Sequence, residues 1–260
     1  MTRIALGVEY DGAGFLGWER QREGRTVQET LEEALAVIAG GPVRTICAGR
    51  TDTAVHALDQ VVHLDCAAER PDSAWLRGVN ARLPGDVAVR WVARPGDAFH
   101  ARFSATRRHY RYLIHNVPER SALLRGRYAW YFRPLDVEAM AHAAAVLEGE
   151  HDFSSFRGSG CQARHPRRRL HWIRLARHGD VVTLDVCANA FLKHMVRNIV
   201  GSLLEVGWGR REPSWVGRVL AARDRRVAGP TALPQGLYLA RIEYPRHFGL
   251  PEVPAPPVLW

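Results

Sequence analysis

The chain predicts an α+β fold made of two tandem halves with the same element order, β-α-β-β-α-β, and three observations carry that prediction. Strand-like alternation and helix-like periodicity follow one another in this order over the first hundred residues. The same order then recurs, with longer insertions, over the rest. The charge also divides at the midpoint. Residues 1–104 hold 12 Arg against 14 Asp and Glu, a net of −2, whereas residues 105–260 hold 24 Lys and Arg against 13 acids, a net of +11.

In the first half, residues 1–104, Arg3–Tyr10 alternates like a strand and a Gly-rich loop follows. Thr26-Val27-Gln28-Glu29 reads as a capping box, and Val27, Leu31, Ala34, Leu35 and Ile38 recur at helical spacing up to Gly40-Gly41-Pro42. Val43–Cys47 and His56–Leu64 read as strands separated by a loop, Ser73–Arg82 as a short helix, and Val87–Val92 as a strand. That is the split arrangement of a ferredoxin-like domain. In the second half, residues 105–245, Arg107–His115 alternates like a strand and Asp136–Leu147 is helical. Leu170–Ala176 and Val181–Ala188 form a hairpin closed by His178-Gly179-Asp180. Phe191–Val206 is a long amphipathic helix and Leu237–Tyr244 a last strand. Two such halves in tandem would place a central cleft between two sheets. Residues 246–260 form a Pro-rich tail expected to be extended.

Hydrophobic residues make up 47% and charged residues 24% of the chain, ordinary for a globular protein. No apolar run is long enough to cross a bilayer, and MTRIALGVEYDG lacks the features of a signal peptide. Cys47, Cys66, Cys161 and Cys187 contain no C-x-x-C pair, so neither zinc nor a disulfide framework is expected and a reducing cytoplasm fits best. The basic second half points to a polyanionic partner. Lys193 is the only lysine, so the positive charge is almost wholly guanidinium, which suits bidentate phosphate contacts.

Gly12-Ala13-Gly14-Phe15-Leu16-Gly17 matches G-x-G-x-x-G after a strand. A dinucleotide site needs a helix opening directly from those glycines, and here the polar stretch Trp18–Arg25 intervenes. A nucleotide-dependent oxidoreductase is therefore a weak rival. There is no Walker A sequence, no H-E-x-x-H and no G-x-S-x-G, and no cofactor or metal is expected.

Cys47–Ala57 is more informative. A strand runs into Gly49-Arg50-Thr51-Asp52, so a turn at a strand end can present the Asp52 carboxylate to a cleft with Arg50 nearby. Such an Asp serves as nucleophile or base; equally, it can do no more than close an Asx turn. On the long helix, Phe191, Leu192, Met195, Val196, Ile199 and Val200 span one face, and Lys193, His194, Arg197 and Asn198 lie largely on the other. Arg197 would pair with a carboxylate or grip a phosphate, or the face would simply be solvated. Phe99–Phe103 and Arg107–Tyr112 interleave rings with cations. Arg108, Tyr110 and Tyr112 share a strand face, the combination an unstacked base requires, although a sheet core would read the same. Arg164–Arg169 is a basic loop, either an RNA contact or a solvated charge run.

Taken together, these segments resemble the tRNA pseudouridine synthase A (synthase I) family. The similarity runs through Glu9–Gly12, Gly17-Trp18, Val27-Gln28, Ala48–Asp52, Val55–Ala57 and Gln60–Val62. It continues at Asn80, Leu83-Pro84, His100–Phe103, His151–Phe153, Met195–Asn198 and Gly236–Tyr238, covering residues 3 to about 245. The resemblance implies a pseudouridine synthase fold of two ferredoxin-like halves with the active cleft between them. Asp52 matches the essential aspartate and Arg50 the neighbouring motif arginine. Tyr110 matches the tyrosine packed on the target base, and Arg197 the basic partner of the aspartate. Tyr110, Arg50, His56, Arg102, Arg108 and Arg168 make the expected substrate-binding set. The family works as homodimers without metal or cofactor and modifies uridines at tRNA positions 38, 39 and 40 in the anticodon arm. This chain departs from the family pattern at Thr53-Ala54, where Ala-Gly is usual, at Glu19, where Gln is usual, and at Leu233-Pro234-Gln235. Ala54 stands out, because losing Gly restricts the loop that carries Asp52. The reaction detaches uracil N1 from the sugar and rejoins the base through C5, so the base must leave its stack. Asp52 would attack C1′ or C6, or take the C2′ proton on a glycal route. The rival from another class is a non-catalytic tRNA-binding protein with the same basic half.

Overall fold

The computed structural model describes residues 1–251. They divide into two compact units, Met1–Thr106 together with the chain from Tyr238 onward, and Arg107–Leu237.

In the first unit, β1 (Thr2–Tyr10) is the middle of a ferredoxin-like sheet. It pairs antiparallel with β3 (His56–Cys66), Leu6 opposite Val62, and with β4 (Val87–Ala93), Leu6 opposite Val92. The two-residue β2 (Ile46–Cys47) joins the far side of β3. Ile4, Ala5, Leu6 and Val8 are fully buried, as a strand covered on both faces requires. Helix α1 (Val27–Ala39) buries Val27, Leu31 and Leu35, the helical stripe read from the sequence. The predicted capping box does not form. Thr26 makes no side-chain cap bond; the first two helix amides, of Val27 and Gln28, donate instead to the Gly17 and Trp18 carbonyls at 3.2 and 2.9 Å. The short helix around Ser73–Arg82 is present, but contains a π turn at Ala74–Gly78 that buries Trp75.

In the second unit, β5 (Arg107–His115) pairs antiparallel with β9 (Val181–Ala188), Tyr110 opposite Val186. The short β6 (Ala129–Trp130) runs parallel to β5. Helix α2 (Val137–Ala145) is capped by Asp136, whose side chain accepts from the Ala139 amide at 2.9 Å. Strand β7 (Gly149–Asp152) pairs with β8 (Arg167–His178), and β8 with β9, giving the order β5-β9-β8-β7. Helices α3 (Met195–Gly207) and α4 (Trp215–Ala222) follow. Two expectations change. Strand β8 begins at Arg167, so Arg167–Arg169 belong to a strand paired with Asp152–Glu150, and only 164–166 remain loop. Helix α3 begins at Met195, because His194 takes a left-handed conformation (φ 60°) and ends the segment from Phe191 as non-helical chain.

The last strand, β10 (Leu237–Glu243), pairs in parallel with β3, Tyr238 opposite His56. That pairing is why residues from Tyr238 on pack with the first unit, whereas the sequence reading carried the second half to residue 245. The tail does not start extended: Arg246–Phe248 is a 3₁₀ turn, and the Phe248 ring meets Phe99 at 5.3 Å. The rest of the expected tail, 252–260, lies outside the described residues. Among the described residues, no helix is long and apolar enough to cross a membrane.

Candidate active-site residues

Asp52 lies between β2 and β3, in a turn that main-chain hydrogen bonds tie to its neighbours. The Asp52 carbonyl accepts from the Val55 amide at 3.1 Å, closing the turn. From the other side the Gly-rich segment after β1 grips it. The Trp18 amide donates to the Thr51 carbonyl at 3.0 Å, and the Ala54 amide to the Phe15 carbonyl at 3.2 Å. Tyr10 and Thr51 share a buried hydroxyl contact of 2.7 Å. Two glycines make the approach possible. A side chain on Gly12 would collide with the Val55 carbonyl. Gly17 has φ +94° and would set a Cβ 2.7 Å from the Thr51 carbonyl oxygen. The G-x-G-x-x-G match is thus a clamp on the Asp52 turn: only a three-residue 3₁₀ turn, Gly12–Gly14, follows β1, and the next helix starts at Val27. The Asp52 side chain is half-buried.

The other first-unit candidates surround this turn. His56 is 2% exposed, and its Nδ1 accepts from the Gly12 amide at 3.0 Å. Asp11 Oδ1 approaches the same nitrogen at 3.1 Å, but an amide can only donate, so Nδ1 is the acceptor while that bond stands. The imidazole stacks on Tyr238 at 4.5 Å. That geometry pins Gly12 against the turn. Gln60, wholly buried, donates from Nε2 to the Gly49 carbonyl at 2.5 Å and so fixes the chain just before Arg50. Arg50 pairs with Glu19 (2.5 Å), both about half-exposed. Arg102 is exposed beside the Phe103 ring at 5.7 Å. Burial pushes the Cys47 thiol up to about 12, against the opposing pull of Arg50 and Arg102, so it is an inert core group. Asp59, in β3, is also buried, and that burial raises its carboxyl to about 6 although Trp91 donates to it.

In the second unit, Tyr110 is half-buried on β5, and its ring meets Phe191 edge-on at 5.0 Å. Arg108, on the same strand face, donates to the Asn189 carbonyl at 2.7 Å. Tyr112, third on that face, is fully buried and donates to the Leu233 carbonyl at 2.7 Å. Arg168 is half-buried on β8, donating to the carbonyls of His165 and Arg167, and desolvation lowers its pKa. Arg197, on the first turn of α3, donates from Nε to the Ala232 carbonyl at 2.8 Å, while its own carbonyl accepts from the Ala232 amide at 3.1 Å. Asn198 does not sit on a solvated face. It is fully buried, donating to the Phe156 carbonyl at 2.8 Å and accepting from Thr231 Oγ1 at 2.6 Å and Arg225 at 3.1 Å. The expected polar helix face is therefore the seat of segment 228–232. Sequence reasoning missed that segment; its only signal was Gly229-Pro230-Thr231, an ordinary turn pattern.

Asp52, Arg50, His56 and Arg102 thus belong to the first unit, and Tyr110, Arg108, Arg168 and Arg197 to the second. Among the described residues no group of three or more His, Cys, Asp or Glu could hold a metal ion. Similarity to known proteins extends over almost the whole chain. The family described as tRNA pseudouridine synthase matches residues 7–104 and 143–245. The tRNA pseudouridine synthase A of Aromatoleum aromaticum is 56% identical over 96% of this chain and 94% of its own length. That of Salmonella paratyphi B is 54% identical over 98% of this chain and 95% of its own. A solved H/ACA ribonucleoprotein bound to a substrate RNA containing 2′-deoxyuridine is similar over 77% of this chain and 44% of that chain, at 15% identity and TM-score 0.37. That last likeness is too remote to bear on the site.

Proposed function

The chain belongs to the tRNA pseudouridine synthase family, and from that premise we propose that it modifies uridines 38, 39 and 40 of the anticodon stem-loop with Asp52 as nucleophile. The protein is an isomerase that converts uridine to pseudouridine in tRNA. The C1′–N1 bond breaks, a C1′–C5 bond forms, and the proton leaving C5 is balanced by one gained at N1. Such a reaction needs a carboxylate placed against a base that has left its stack. The observation that carries the assignment is the Asp52 turn, fixed by main-chain bonds to residues 15 and 18 while its carboxylate stays half-exposed. A group held this firmly loses little entropy in reaching a reactive geometry.

The partners follow the resemblance. Tyr110 presents a ring on which the extruded base stacks, and its edge contact with Phe191 holds that ring upright. Arg197, whose guanidinium is oriented by the Ala232 carbonyl, is the basic residue that the resemblance assigns to the reaction. Arg50, Arg102, Arg108 and Arg168 contact tRNA phosphates, and His56 shapes the loop from beneath. The enzyme works as a homodimer in the cytoplasm, in keeping with a tRNA substrate and four free cysteines.

Incubation with tRNA transcripts lacking modifications, followed by mapping of pseudouridine, tests this reading. Pseudouridine at 38, 39 and 40 is the expected result. Product confined to another arm would overturn the site choice, and no product would overturn the activity.

A further inference from the structure

An open cavity of about 980 Å³ lies in the second unit beside the first turn of α3, close to Arg197 but lined by none of the residues given a catalytic role above. Gly158, Ser159 and Gly160 form one wall, Lys193 and His194 the floor, and Arg225, Arg226 and Ala228–Thr231 the other wall. Three cations and a histidine line it, and no carboxylate does. Lys193 and Arg225 pair with no carboxylate among the described residues; Arg226 is bound to Asp224 at 2.7 Å. Two of the three cations are thus left without a carboxylate, and positive charge concentrated in this way is relieved by an anion.

The cavity is built rather than incidental. Buried Asn198 ties both walls together, donating to the Phe156 carbonyl just before the glycine wall and accepting from Thr231 and Arg225 on the other. The Gly229 amide donates to buried Ser202 at 3.0 Å. Gly201 leaves the gap into which the Pro230 carbonyl fits; any side chain there would collide with it. On the opposite wall the Gly158 amide donates to the Lys193 carbonyl at 2.8 Å.

From this geometry we infer that the cavity is a binding site for backbone phosphates of the tRNA, with Lys193 as its exposed cation. The inference rests on the function proposed above. A volume of about 980 Å³ exceeds what one phosphate ion would fill and suits a stretch of sugar-phosphate chain. The wall 228–231 continues into Ala232, which holds Arg197, so a strand seated in the cavity runs past the basic residue that the resemblance assigns to the reaction. On the other side Cys161 accepts from the Lys193 amide at 3.5 Å and leads directly into the basic run 164–169.

The sequence supplies a clean probe, because Lys193 carries the chain's only ε-amine. Acylation by an amine-reactive ester, read by mass spectrometry with the N-terminal amine as internal control, reports whether the site is covered. Saturating tRNA is expected to slow Lys193 labelling at least about fivefold, while inorganic phosphate at the same total phosphate concentration leaves it unchanged. Lys193→Ala is expected to raise KM for tRNA about five- to tenfold with kcat within about twofold, and to shallow the slope of log KM against log salt by about 0.7 to 1, as loss of one phosphate contact does. Lys193→Arg should restore both the KM and the salt slope. Full labelling under saturating tRNA, or an unchanged KM, would overturn the site. Equal protection by phosphate would make it a free-anion site and overturn the RNA assignment. Wild-type pseudouridine formation in the same samples separates these failures from failure of the function itself.

Discussion

Among the described residues the first unit holds one non-glycine residue in the left-handed region, Ala54, and the second holds two, His194 and Arg223; Ala54 and His194, each close to a residue assigned to the chemistry, are supported in different ways. Ala54 has φ 60° two residues after Asp52, and His194 has φ 60° three residues before Arg197. His194 compensates with its own side chain, whose ring packs so closely on Gly158 that a Cβ there would lie 2.9 Å from Nδ1. Ala54 has only a methyl group to offer, and its support comes from outside: the Phe15 carbonyl takes its amide and the Gly12–Trp18 segment lies over the turn. Strain at a site persists only where surroundings over-determine it, and here the first unit supplies that with neighbouring backbone, the second with a ring. Perturbing the two kinds of support should therefore have different consequences.

The largest effect belongs to the group the clamp serves. Asp52→Asn keeps the shape of the turn and removes the carboxylate, so pseudouridine formation should fall by about a thousandfold or more while tRNA affinity stays within about twofold. Retained turnover in a discontinuous tritium-release assay would remove Asp52 from the chemistry. Next comes the clamp itself. Gly17→Ala forces a Cβ against the Thr51 carbonyl at a φ of +94°, displacing the turn by a fraction of an ångström to an ångström. A displacement of that size costs about a hundredfold in turnover when reacting groups are affected. The expected signature is a fall in kcat with KM for tRNA nearly unchanged; a parallel loss in both would mean that the segment binds RNA directly.

A third test separates the units by pH. Burial raises the Asp59 carboxyl from 3.8 to about 6, so the folded first unit favours its protonated form. The sign follows from linkage: this contribution is fully present below about pH 4, is lost as pH climbs toward 6, and stays lost above. A rise of that size is worth on the order of 2–3 kcal/mol at most. Asp59→Asn keeps an acceptor for Trp91 and should stabilise the protein at pH 7–8, with no gain at pH 4. Urea midpoints at the two pH values check it, and a gain of equal size at both would show that charge is not the cause.

Much of the first unit's site could be read from the sequence because its parts are local. Ala48–Asp52 and Val55–Ala57 lie on one short loop, and the element order around it is what alternation and helical spacing foretold. The clamp was hidden, since Gly12 and Gly17 imitate a nucleotide fingerprint and only the fold shows their backbone lying against residues 51–55. The second unit disperses its site. Arg197 and Asn198 take their meaning from residues about thirty positions later in the chain, and a helical wheel cannot register a loop seated on the helix. The wheel also assumed a helix from Phe191, which His194 interrupts. Nor does pattern alone reveal that Arg167–Arg169 join a strand, because a run of arginines reads as loop until its partner at 150–152 is in place.

The smallest effects test the comparison most directly, since the same substitution should act with opposite signs in the two units. Ala54→Gly removes the strain of a Cβ at φ 60°, worth about 1–2 kcal/mol, against an entropic cost of about 0.5–1 kcal/mol for the freer unfolded chain. The net gain, about 1 kcal/mol or less, corresponds to a rise in Tm of roughly 2 °C in a protein of this size. If the Gly12–Trp18 clamp aims the turn, kcat should stay within about twofold. At His194 the same relief of backbone strain is outweighed by loss of the ring packed on Gly158, so His194→Gly should lower Tm rather than raise it. Thermal melts of both variants, with kcat measured alongside, check the pair. A tenfold fall in kcat for Ala54→Gly, despite a raised Tm, would show that the Ala54 methyl itself restricts the turn, and the division between backbone support in one unit and side-chain support in the other would fail.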